Sequence, residues 1–377
     1  MKFLELNEFI KMFSKTKVST LTEFKKTAKV RVGDNMKPLL RYMKEKEIPN
    51  EDIALLFDNI KNRNEYLTRF YKTSLALPEN LDLTLVKSMK NKEMNNDQAL
   101  VYKNVIRNLH YEDILRDTKS GMDNNRTFLE VLTDLYLNQV IDYKILTPSG
   151  RHYMREGRLG SIFSAYYFRA SIMSPHLVYS LNHSILKGTK IFTPTLGWSS
   201  YCYGFLACPY VHEYVGTDVI PDVCRKTAAL ANYIDPKKRT TIYCKPSEKL
   251  FTNESFMNKY KGHFDVVFFS PPYYKLEIYD GGKQSTEQYK TYEEWLDKYW
   301  DKTIQLCYHV LEKGGKLCYI LSGYGSDNTE QYDLLGDMNK ITKKYFTVKS
   351  YQPMHNKDVH VTKHKETAEQ IMIFIKK

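Results

Sequence analysis

The sequence predicts a mostly parallel α/β sheet that ends in an antiparallel hairpin and follows an all-α N-terminal region. From about residue 151, short apolar runs alternate with helical patterns, as in a parallel sheet wound on both faces. The last two runs have no helical pattern between them, which predicts an antiparallel hairpin. A hinge is expected at residues 147–150 (TPSG). We therefore predict a helical region over residues 1–150 and an α/β domain over residues 151–377.

The individual elements follow from periodicity. In the N-terminal region one helix is predicted to begin at Asn50, a typical N-cap before an acidic first turn, and apolar stripes follow at residues 66–71 and 128–141. In the α/β part, helical patterns cover residues 222–233 and 292–311. The candidate strands are residues 190–192, 213–216, 240–244, 264–269, 316–321, 345–351 and 370–375.

Composition excludes several classes of protein. The chain has 377 residues, of which 42% are hydrophobic and 27% charged, so it is neither disordered nor collagen-like. No apolar run approaches the roughly 18 residues of a membrane span. The first eight residues place acids where a signal peptide has its apolar stretch. We expect an intracellular, soluble protein, cytoplasmic or associated with the nucleoid, with no membrane partner.

Charge and cysteine content add two further expectations. The net charge of +12 arises from 56 basic and 44 acidic side chains, a balance that suits a polyanionic partner without proving one. The six cysteines form no C-x-x-C pair and the ten histidines no H-E-x-x-H motif. Neither a disulfide framework nor a structural metal site is therefore predicted.

The sharpest local feature is the end of one predicted strand, residues 264–273 (FDVVFFSPPY). Pro271 and Pro272 cannot continue a central strand, so the chain turns rigidly at the carboxyl edge of the sheet, where ligands of open α/β sheets bind. The Ser270 side chain and the Pro271 carbonyl could accept protons from an exocyclic amino group, and Tyr273 could stack on its ring. The alternative is a strand-terminating turn with an incidental tyrosine.

Ser270 to Tyr273, S-P-P-Y after an apolar strand, resembles the catalytic motif of the S-adenosylmethionine-dependent DNA amino-methyltransferases. The resemblance implies a class I methyltransferase (Rossmann-like) domain, S-adenosyl-L-methionine as cofactor, and DNA as partner. It also implies methyl transfer to cytosine-N4 or adenine-N6 of a base flipped out of the duplex. S-P-P-Y favours cytosine in this family and D-P-P-Y favours adenine, so cytosine-N4 is the first choice and adenine-N6 remains open.

A second feature is a strand, a glycine-containing turn and a helix at residues 190–200 (KIFTPTLGWSS). Gly197 allows the backbone to approach a ligand closely, and Asp218, 21 residues later at a strand tip, could bind ribose hydroxyls. The segment is similar to the family's first cofactor motif, D-P-x-x-G-x-G, which assigns Thr193, Thr195, Gly197 and Asp218 to the cofactor. Thr193 replaces the usual acid, however, and Ser199 the second glycine.

Weaker candidates complete the predicted site. Ser247 and Glu248 follow the third strand, where this family packs the cofactor's adenine, although helix capping would look the same. Phe163 lies in a segment, residues 157–164, that resembles the one closing over the cofactor's methionine end, although a core aromatic is the commoner interpretation of such a residue. The polar loop 275–292 is predicted to be a flap over the site. The basic, His-rich residues 355–365 could contact phosphate.

Several alternatives stay open. The span between Asp218 and Ser270 is too short for a target-recognition domain, so recognition falls to the loop after Tyr273 or to the N-terminal region, which could equally bind a protein partner or a second copy. An RNA or protein-glutamine methyltransferase could share the fold, and a nicotinamide dehydrogenase the glycine turn and Asp218. The replacements at Thr193 and Ser199 also fit a catalytically inactive nucleic-acid-binding or assembly protein.

Overall fold

The computed structural model describes residues 1–14, 20–121, 125–322, 332–354 and 369–377. The chain divides into two compact units. The first, which we call the sheet unit, comprises residues 77–110 and 171–377 together with Met1, and the second, the N-terminal unit, comprises residues 2–76 and 111–170. The predicted boundary at residue 150 therefore falls inside the N-terminal unit.

Residues 147–150 form the first turn of a helix instead of the predicted hinge. The Thr147 side chain accepts a hydrogen bond from the Gly150 backbone N–H at 3.2 Å, and Pro148 occupies the first helical position. A threonine followed by proline is a helix-start signal as well as a turn signal, which explains the difference.

The structure contains twelve strands in its described residues. They are β1 (Lys29–Val32), β2 (Asn35–Pro38), β3 (Lys119–Ser120), β4 (Val140–Asp142), β5 (Lys190–Thr193), β6 (Glu213–Asp218), β7 (Arg239–Cys244), β8 (Phe264–Phe269), β9 (Glu277–Ile278), β10 (Leu311–Leu321), β11 (Thr347–Pro353) and β12 (Gln370–Ile375).

Helices account for most of the remaining described chain. The α-helices are α1 (Leu6–Lys11), α2 (Leu21–Thr27), α3 (Leu39–Glu45), α4 (Asn50–Lys61), α5 (Arg63–Ser74), α6 (Val101–Leu109), α7 (Phe128–Leu137), α8 (Pro148–Arg155), α9 (Leu159–Tyr166), α10 (Pro175–Leu181), α11 (Ser200–Leu206), α12 (Pro221–Ile234), α13 (Ser247–Leu250), α14 (Glu254–Lys259), α15 (Ser285–Gln288), α16 (Tyr292–Trp295), α17 (Lys302–Val310) and α18 (Leu334–Thr342). Short 3₁₀ or π segments occupy Leu83–Leu85, Asn91–Glu93, Asp113–Asp117, Tyr143–Leu146, Asn182–Leu186 and Leu296–Asp301. Within the described ranges, no helix is long and apolar enough to span a bilayer.

The N-terminal unit is mainly helical, as predicted, but it is not all-α. Strands β2, β1 and β4 form a three-stranded sheet in which β1 is antiparallel to β2 and parallel to β4. The β1–β2 turn contains Gly33 at φ +59°, a backbone conformation that suits a tight hairpin. These strands are only three or four residues long, too short for alternation to stand out in the sequence.

The sheet unit is built on a seven-stranded sheet in the order β11-β12-β10-β8-β5-β6-β7. The neighbouring pairs from β10 to β7 are parallel, whereas β12 is antiparallel to both β10 and β11. The predicted Rossmann-like, mostly parallel sheet with its terminal antiparallel hairpin is therefore confirmed. The predicted strand positions hold, with ends that differ by a few residues, most of all in β10, which begins at Leu311.

The strand order defines where a ligand can enter. From β5 the chain adds β6 and β7 on one side, then returns to add β8 and β10 on the other. In such open sheets the crevice lies outside the carboxyl ends of the strands at this reversal. The sheet beneath is firmly packed, since Phe192 of β5 and Val267 and Phe268 of β8 are fully buried. The switch point is therefore a rigid base for the turns that follow β5, β6, β7 and β8.

Candidate functional site

A cavity of about 210 Å³ lies at the switch point of the sheet unit. Its wall is formed by the chain segments that follow four neighbouring parallel strands, β5, β6, β7 and β8. From these segments the lining residues include Pro194, Thr195, Gly197, Asp218, Lys245, Pro246, Ser247, Glu248, Ser270, Pro271, Pro272 and Tyr273. The cofactor-like turn and the S-P-P-Y turn, which are far apart in sequence, thus face one cavity.

The S-P-P-Y turn is tied to the end of β10. Ser270 Oγ donates a hydrogen bond to the Ile320 carbonyl at 3.0 Å, and the Tyr273 hydroxyl accepts one from the Ser322 backbone N–H at 2.9 Å. A serine hydroxyl has one proton and two lone pairs. Because the Ser270 proton is used within the protein, the oxygen can act toward a ligand only as an acceptor. That is the role that the sequence assigned to it.

Tyr201 of α11 connects the glycine turn to the S-P-P-Y turn. Its hydroxyl accepts a hydrogen bond from the Ser270 backbone N–H at 3.1 Å, and its ring packs edge-on against Phe268 at 5.2 Å. A Cβ atom at Gly197 would lie only 2.2 Å from this ring. Glycine is therefore required at position 197 for the ring of Tyr201 to reach Ser270. Sequence reasoning missed Tyr201, because the contact joins two segments distant in sequence.

The glycine turn has an unusual backbone. Gly197, Trp198 and Ser199 have φ of +51°, +56° and +71°, a left-handed conformation that costs a non-glycine residue about 1–2 kcal/mol. Ser199 is fully buried, and its Oγ is hydrogen-bonded to His110 Nε2 at 2.8 Å and to Thr227 Oγ1 at 2.7 Å. Serine thus adopts here the conformation that glycine would take easily, and two buried hydrogen bonds hold it.

Asp218 links the tip of β6 to the glycine turn. Its Oδ2 accepts a hydrogen bond from Leu196 N at 3.1 Å, and its Oδ1 accepts from Val219 N at 2.8 Å and Ile220 N at 3.2 Å. Burial raises the pKa of this carboxyl group, and the three amides oppose that shift. Since a carboxylate offers roughly four acceptor positions, about one remains for a ligand. Asp218 can therefore still accept a hydrogen bond from a ribose hydroxyl.

Two predicted cofactor residues do not reach the cavity. Thr193 is fully buried, and its Oγ1 is hydrogen-bonded to the Tyr214 hydroxyl at 2.6 Å. Phe163 belongs to the N-terminal unit, where its fully buried ring packs on Tyr66 at 5.1 Å and on Phe128 at 6.2 Å. Both side chains serve the packing of their own unit, and we remove them from the candidate site.

The cavity wall also carries carboxylates that the sequence did not single out together. Glu248, Glu277 and Glu369 join Asp218 around the cavity, and burial raises the pKa of each. Glu277 accepts hydrogen bonds from Ser171 N at 2.9 Å and from the Tyr279 hydroxyl at 2.7 Å. Buried acids of this kind favour a ligand with positive charge or several polar hydrogens.

Tyr299 is a further residue that sequence reasoning missed. It lines the cavity and is only 4% exposed. Its hydroxyl oxygen has no hydrogen-bond partner among the described residues. Buried hydroxyl groups are normally paired, and this one is available to a polar group in the cavity.

The loop predicted to be a flap contributes directly to the cavity wall. Leu276, Glu277, Tyr279 and Lys283 line the cavity. At Gly282, φ is +73° and a Cβ atom would lie 2.2 Å from the Val219 carbonyl oxygen, directly after Asp218. The loop therefore passes close against the tip of β6.

The predictions about the His-rich loop and about a metal site remain predictions. The basic, His-rich residues 355–365 lie outside the described residues. In the part of the chain that the structure describes, no group of three or more histidine, cysteine, aspartate or glutamate side chains is arranged to hold a metal ion.

Comparisons with known proteins give distant structural similarities. No protein-family model and no curated protein sequence matches the chain. Similar solved structures include the N-methyltransferase NodS from Bradyrhizobium japonicum bound to S-adenosyl-L-homocysteine, with 12% identity, a TM-score of 0.34, and coverage of 53% of this chain and 83% of that chain. TrmN from Thermus thermophilus has 11% identity and a TM-score of 0.36, covering 54% of this chain and 49% of its own.

The Methanococcus jannaschii fibrillarin pre-rRNA processing protein has 11% identity and a TM-score of 0.32, covering 50% of this chain and 66% of its own. Similarity this low does not extend the activities of those proteins to this chain.

Proposed function

We propose that this protein is an S-adenosyl-L-methionine-dependent methyltransferase that modifies the exocyclic amino group of a flipped DNA base. The observation that carries the proposal is the single cavity shared by the Gly197–Asp218 side and the S-P-P-Y turn. Methyl transfer requires a donor and an acceptor held close together and aligned. Turns that follow adjacent strands of one rigid sheet meet that requirement.

The chemistry of the cavity suits the cofactor. When bound, S-adenosylmethionine supplies a reactive methyl group on a positively charged sulfonium. Gly197 allows close backbone approach, the remaining acceptor position of Asp218 suits a ribose hydroxyl, and Glu248 with Tyr299 suits the polar edge of the adenine ring. The buried carboxylates of the cavity wall complement its positive charge.

The S-P-P-Y side suits the acceptor base. An exocyclic amino nitrogen is a poor nucleophile because its lone pair is delocalised into the ring. Hydrogen bonds from its protons to Ser270 Oγ and to the Pro271 carbonyl would localise that pair toward the methyl group. Tyr273, whose hydroxyl is anchored by Ser322 N, would stack on the base, a contact worth about 1–3 kcal/mol. Cytosine-N4 is the first choice of target, and adenine-N6 the second.

Glu369 is the candidate acceptor for the proton that the amino group loses. It lines the cavity, and its charge acts on both Tyr273 and Tyr201, the two tyrosines next to Ser270. Burial raises the pKa of its carboxyl group, which makes the carboxylate a better base. Ser270 itself cannot take a proton in this way.

The N-terminal unit is proposed to provide DNA recognition or a partner interface, including one with a second copy of the chain. The net charge of +12 is compatible with a polyanionic partner. Salt-dependent DNA binding, compared between the whole chain and variants with neutralised lysines in this unit, would test this assignment.

One observation favours a second candidate, a non-enzymatic protein with an altered cofactor site. Thr193 stands where the family's first motif has an acid, and its hydroxyl is engaged by Tyr214. Such a protein would bind nucleic acid without transferring methyl groups.

Two measurements separate these functions. Calorimetry should show binding of S-adenosylhomocysteine by the whole chain, and no stabilisation by NAD. The chain should then transfer labelled methyl groups from S-adenosylmethionine to DNA, with the modified nucleoside identified by mass spectrometry, and RNA and protein as competing acceptors. Absence of cofactor binding would overturn the proposal and favour the second candidate. Cofactor binding with transfer only to RNA or protein would overturn the DNA assignment alone.

A further inference from the structure

A pair of cysteines, Cys224 and Cys244, lies next to the cavity of the sheet unit. Cys224 lies in the first turn of α12, and Cys244 is the last residue of β7. Asp218 of β6 is the direct ladder partner of Cys244. The residue after Cys244, Lys245, lines the cavity. The pair therefore lies beside two of the four segments that build the cavity.

The Cys224 thiol lies against the backbone next to Cys244. Cys224 Sγ lies 3.6 Å from the Asp218 carbonyl oxygen and 3.7 Å from the Tyr243 carbonyl oxygen, which belongs to the peptide bond leading into Cys244. Burial raises the pKa of the Cys224 thiol, and the neighbouring Asp218 and Cys244 side chains add to that shift. A disulfide requires two cysteines on closely neighbouring backbone segments. The ladder pair Asp218–Cys244 and the contacts of Cys224 Sγ with both strands provide that proximity.

The two thiols differ in exposure. Cys244 is exposed, whereas Cys224 is only 7% exposed. An oxidant can therefore reach Cys244 directly, and Cys224 is then the nearest thiol able to react with the product. Redox-responsive cysteines commonly have this arrangement, an accessible thiol next to a resolving one.

We propose that Cys224 and Cys244 form a redox-reactive dithiol that closes to an intramolecular disulfide when the protein meets a disulfide oxidant such as oxidised glutathione. The Cys244 thiolate attacks one sulfur of glutathione disulfide, which forms a mixed disulfide and releases one glutathione thiolate. The Cys224 thiolate then attacks the Cys244 sulfur and releases the second. The two cysteines lose two electrons and two protons, and one glutathione disulfide becomes two glutathione molecules.

Because burial disfavours the Cys224 thiolate, the exposed Cys244 thiol is the one that reacts first with the oxidant. The other four cysteines, Cys202, Cys208, Cys307 and Cys318, are fully buried and serve as internal controls. The modification would join α12 to the end of β7 at the wall of the cavity, independently of what the cavity binds.

The test is peptide mapping of the folded, full-length protein after incubation with oxidised glutathione. After unfolding, the four control cysteines should all be alkylated, and a peptide cross-linked between Cys224 and Cys244 should appear. Reduction should remove it. In Cys224→Ser, the mixed disulfide of Cys244 with glutathione should accumulate several-fold above its level in the wild type, because the resolving thiol is absent.

Cys244→Ser alters an exposed side chain and keeps the test valid if Cys224→Ser fails to fold. In this variant Cys224 should stay reduced. The proposal is overturned if the wild type shows a stable mixed disulfide at Cys244 without the cross-link. It is equally overturned if both thiols stay reduced while an exposed control thiol on another protein in the same tube is oxidised.

Discussion

Replacing Gly197 with alanine should destabilise the protein far more than its backbone conformation alone explains. At φ +51°, the left-handed conformation of an alanine costs about 1–2 kcal/mol. The added Cβ would also lie 2.2, 2.4 and 2.7 Å from three ring atoms of Tyr201. That ring is 3% exposed, packs against Phe268 and is bonded to Ser270, so it cannot swing aside freely. Overpacking of this kind typically costs a further 1–3 kcal/mol, roughly.

Gly262→Ala is the matched control. Gly262 has φ +58° in the same unit, and its added Cβ would meet only the Leu311 carbonyl oxygen at an ordinary 3.9 Å. The two variants thus share the backbone cost and differ in the clash. The free energy of unfolding, measured by urea denaturation, should fall by about 1–3 kcal/mol more for Gly197→Ala than for Gly262→Ala.

Cofactor binding gives a second readout for Gly197→Ala. Displacement of Tyr201 should also weaken binding of S-adenosylhomocysteine, which Gly262→Ala should leave unchanged. Equal unfolding free energies for the two variants would refute the claim that Gly197 is needed to seat the ring of Tyr201.

Three further predictions concern the glycine turn and the cavity. Ser199→Ala should lower the free energy of unfolding by about 1–3 kcal/mol through loss of two buried hydrogen bonds. Ser199→Gly should lower it by about 1 kcal/mol less, because glycine relieves the left-handed strain. If urea denaturation shows Ser199→Gly to be the less stable variant, this account is contradicted. Asp218→Asn should weaken calorimetric binding of S-adenosylhomocysteine, since an amide cannot accept at both atoms, and unchanged affinity would exclude Asp218 from the site. Ser270→Ala should slow methyl transfer at least about tenfold through loss of a hydrogen-bond acceptor for the amino group, while cofactor affinity is retained. Unchanged rates would remove Ser270 from catalysis.

Most of the sheet could be predicted because its signals are local. Short apolar runs separated by helical patterns reveal parallel strands wherever each strand is buried on both faces. The lack of a helical pattern in the sequence between the last two apolar runs predicted the hairpin. The three-stranded sheet of the N-terminal unit escaped because its strands are very short and their partners, β1 and β4, lie more than 100 residues apart in the chain. The sequence carried no signal for that pairing.

Residues of the candidate site that end a strand could be predicted, whereas residues that depend on contacts distant in sequence could not. Ser270 and Asp218 end buried strands, so their place at the carboxyl edge followed from the pattern. Phe163 was assigned by resemblance alone, and its ring lies in the core of the N-terminal unit. Tyr201 and Tyr299 gave no local signal at all, because their value depends on contacts with distant segments.

The amino-acid sequence by itself determined the approximate positions of the seven strands of the sheet unit, since runs of apolar residues and proline turns act over a few neighbouring residues. It also determined that a glycine turn and a serine–diproline turn end two of those strands. Only the tertiary structure decided that these turns share one cavity, because strand order is set by packing across the whole sheet. Long-range packing also turned Thr193 toward Tyr214, assembled four carboxylates around the cavity, and brought the Cys224 thiol against the strand that ends in Cys244.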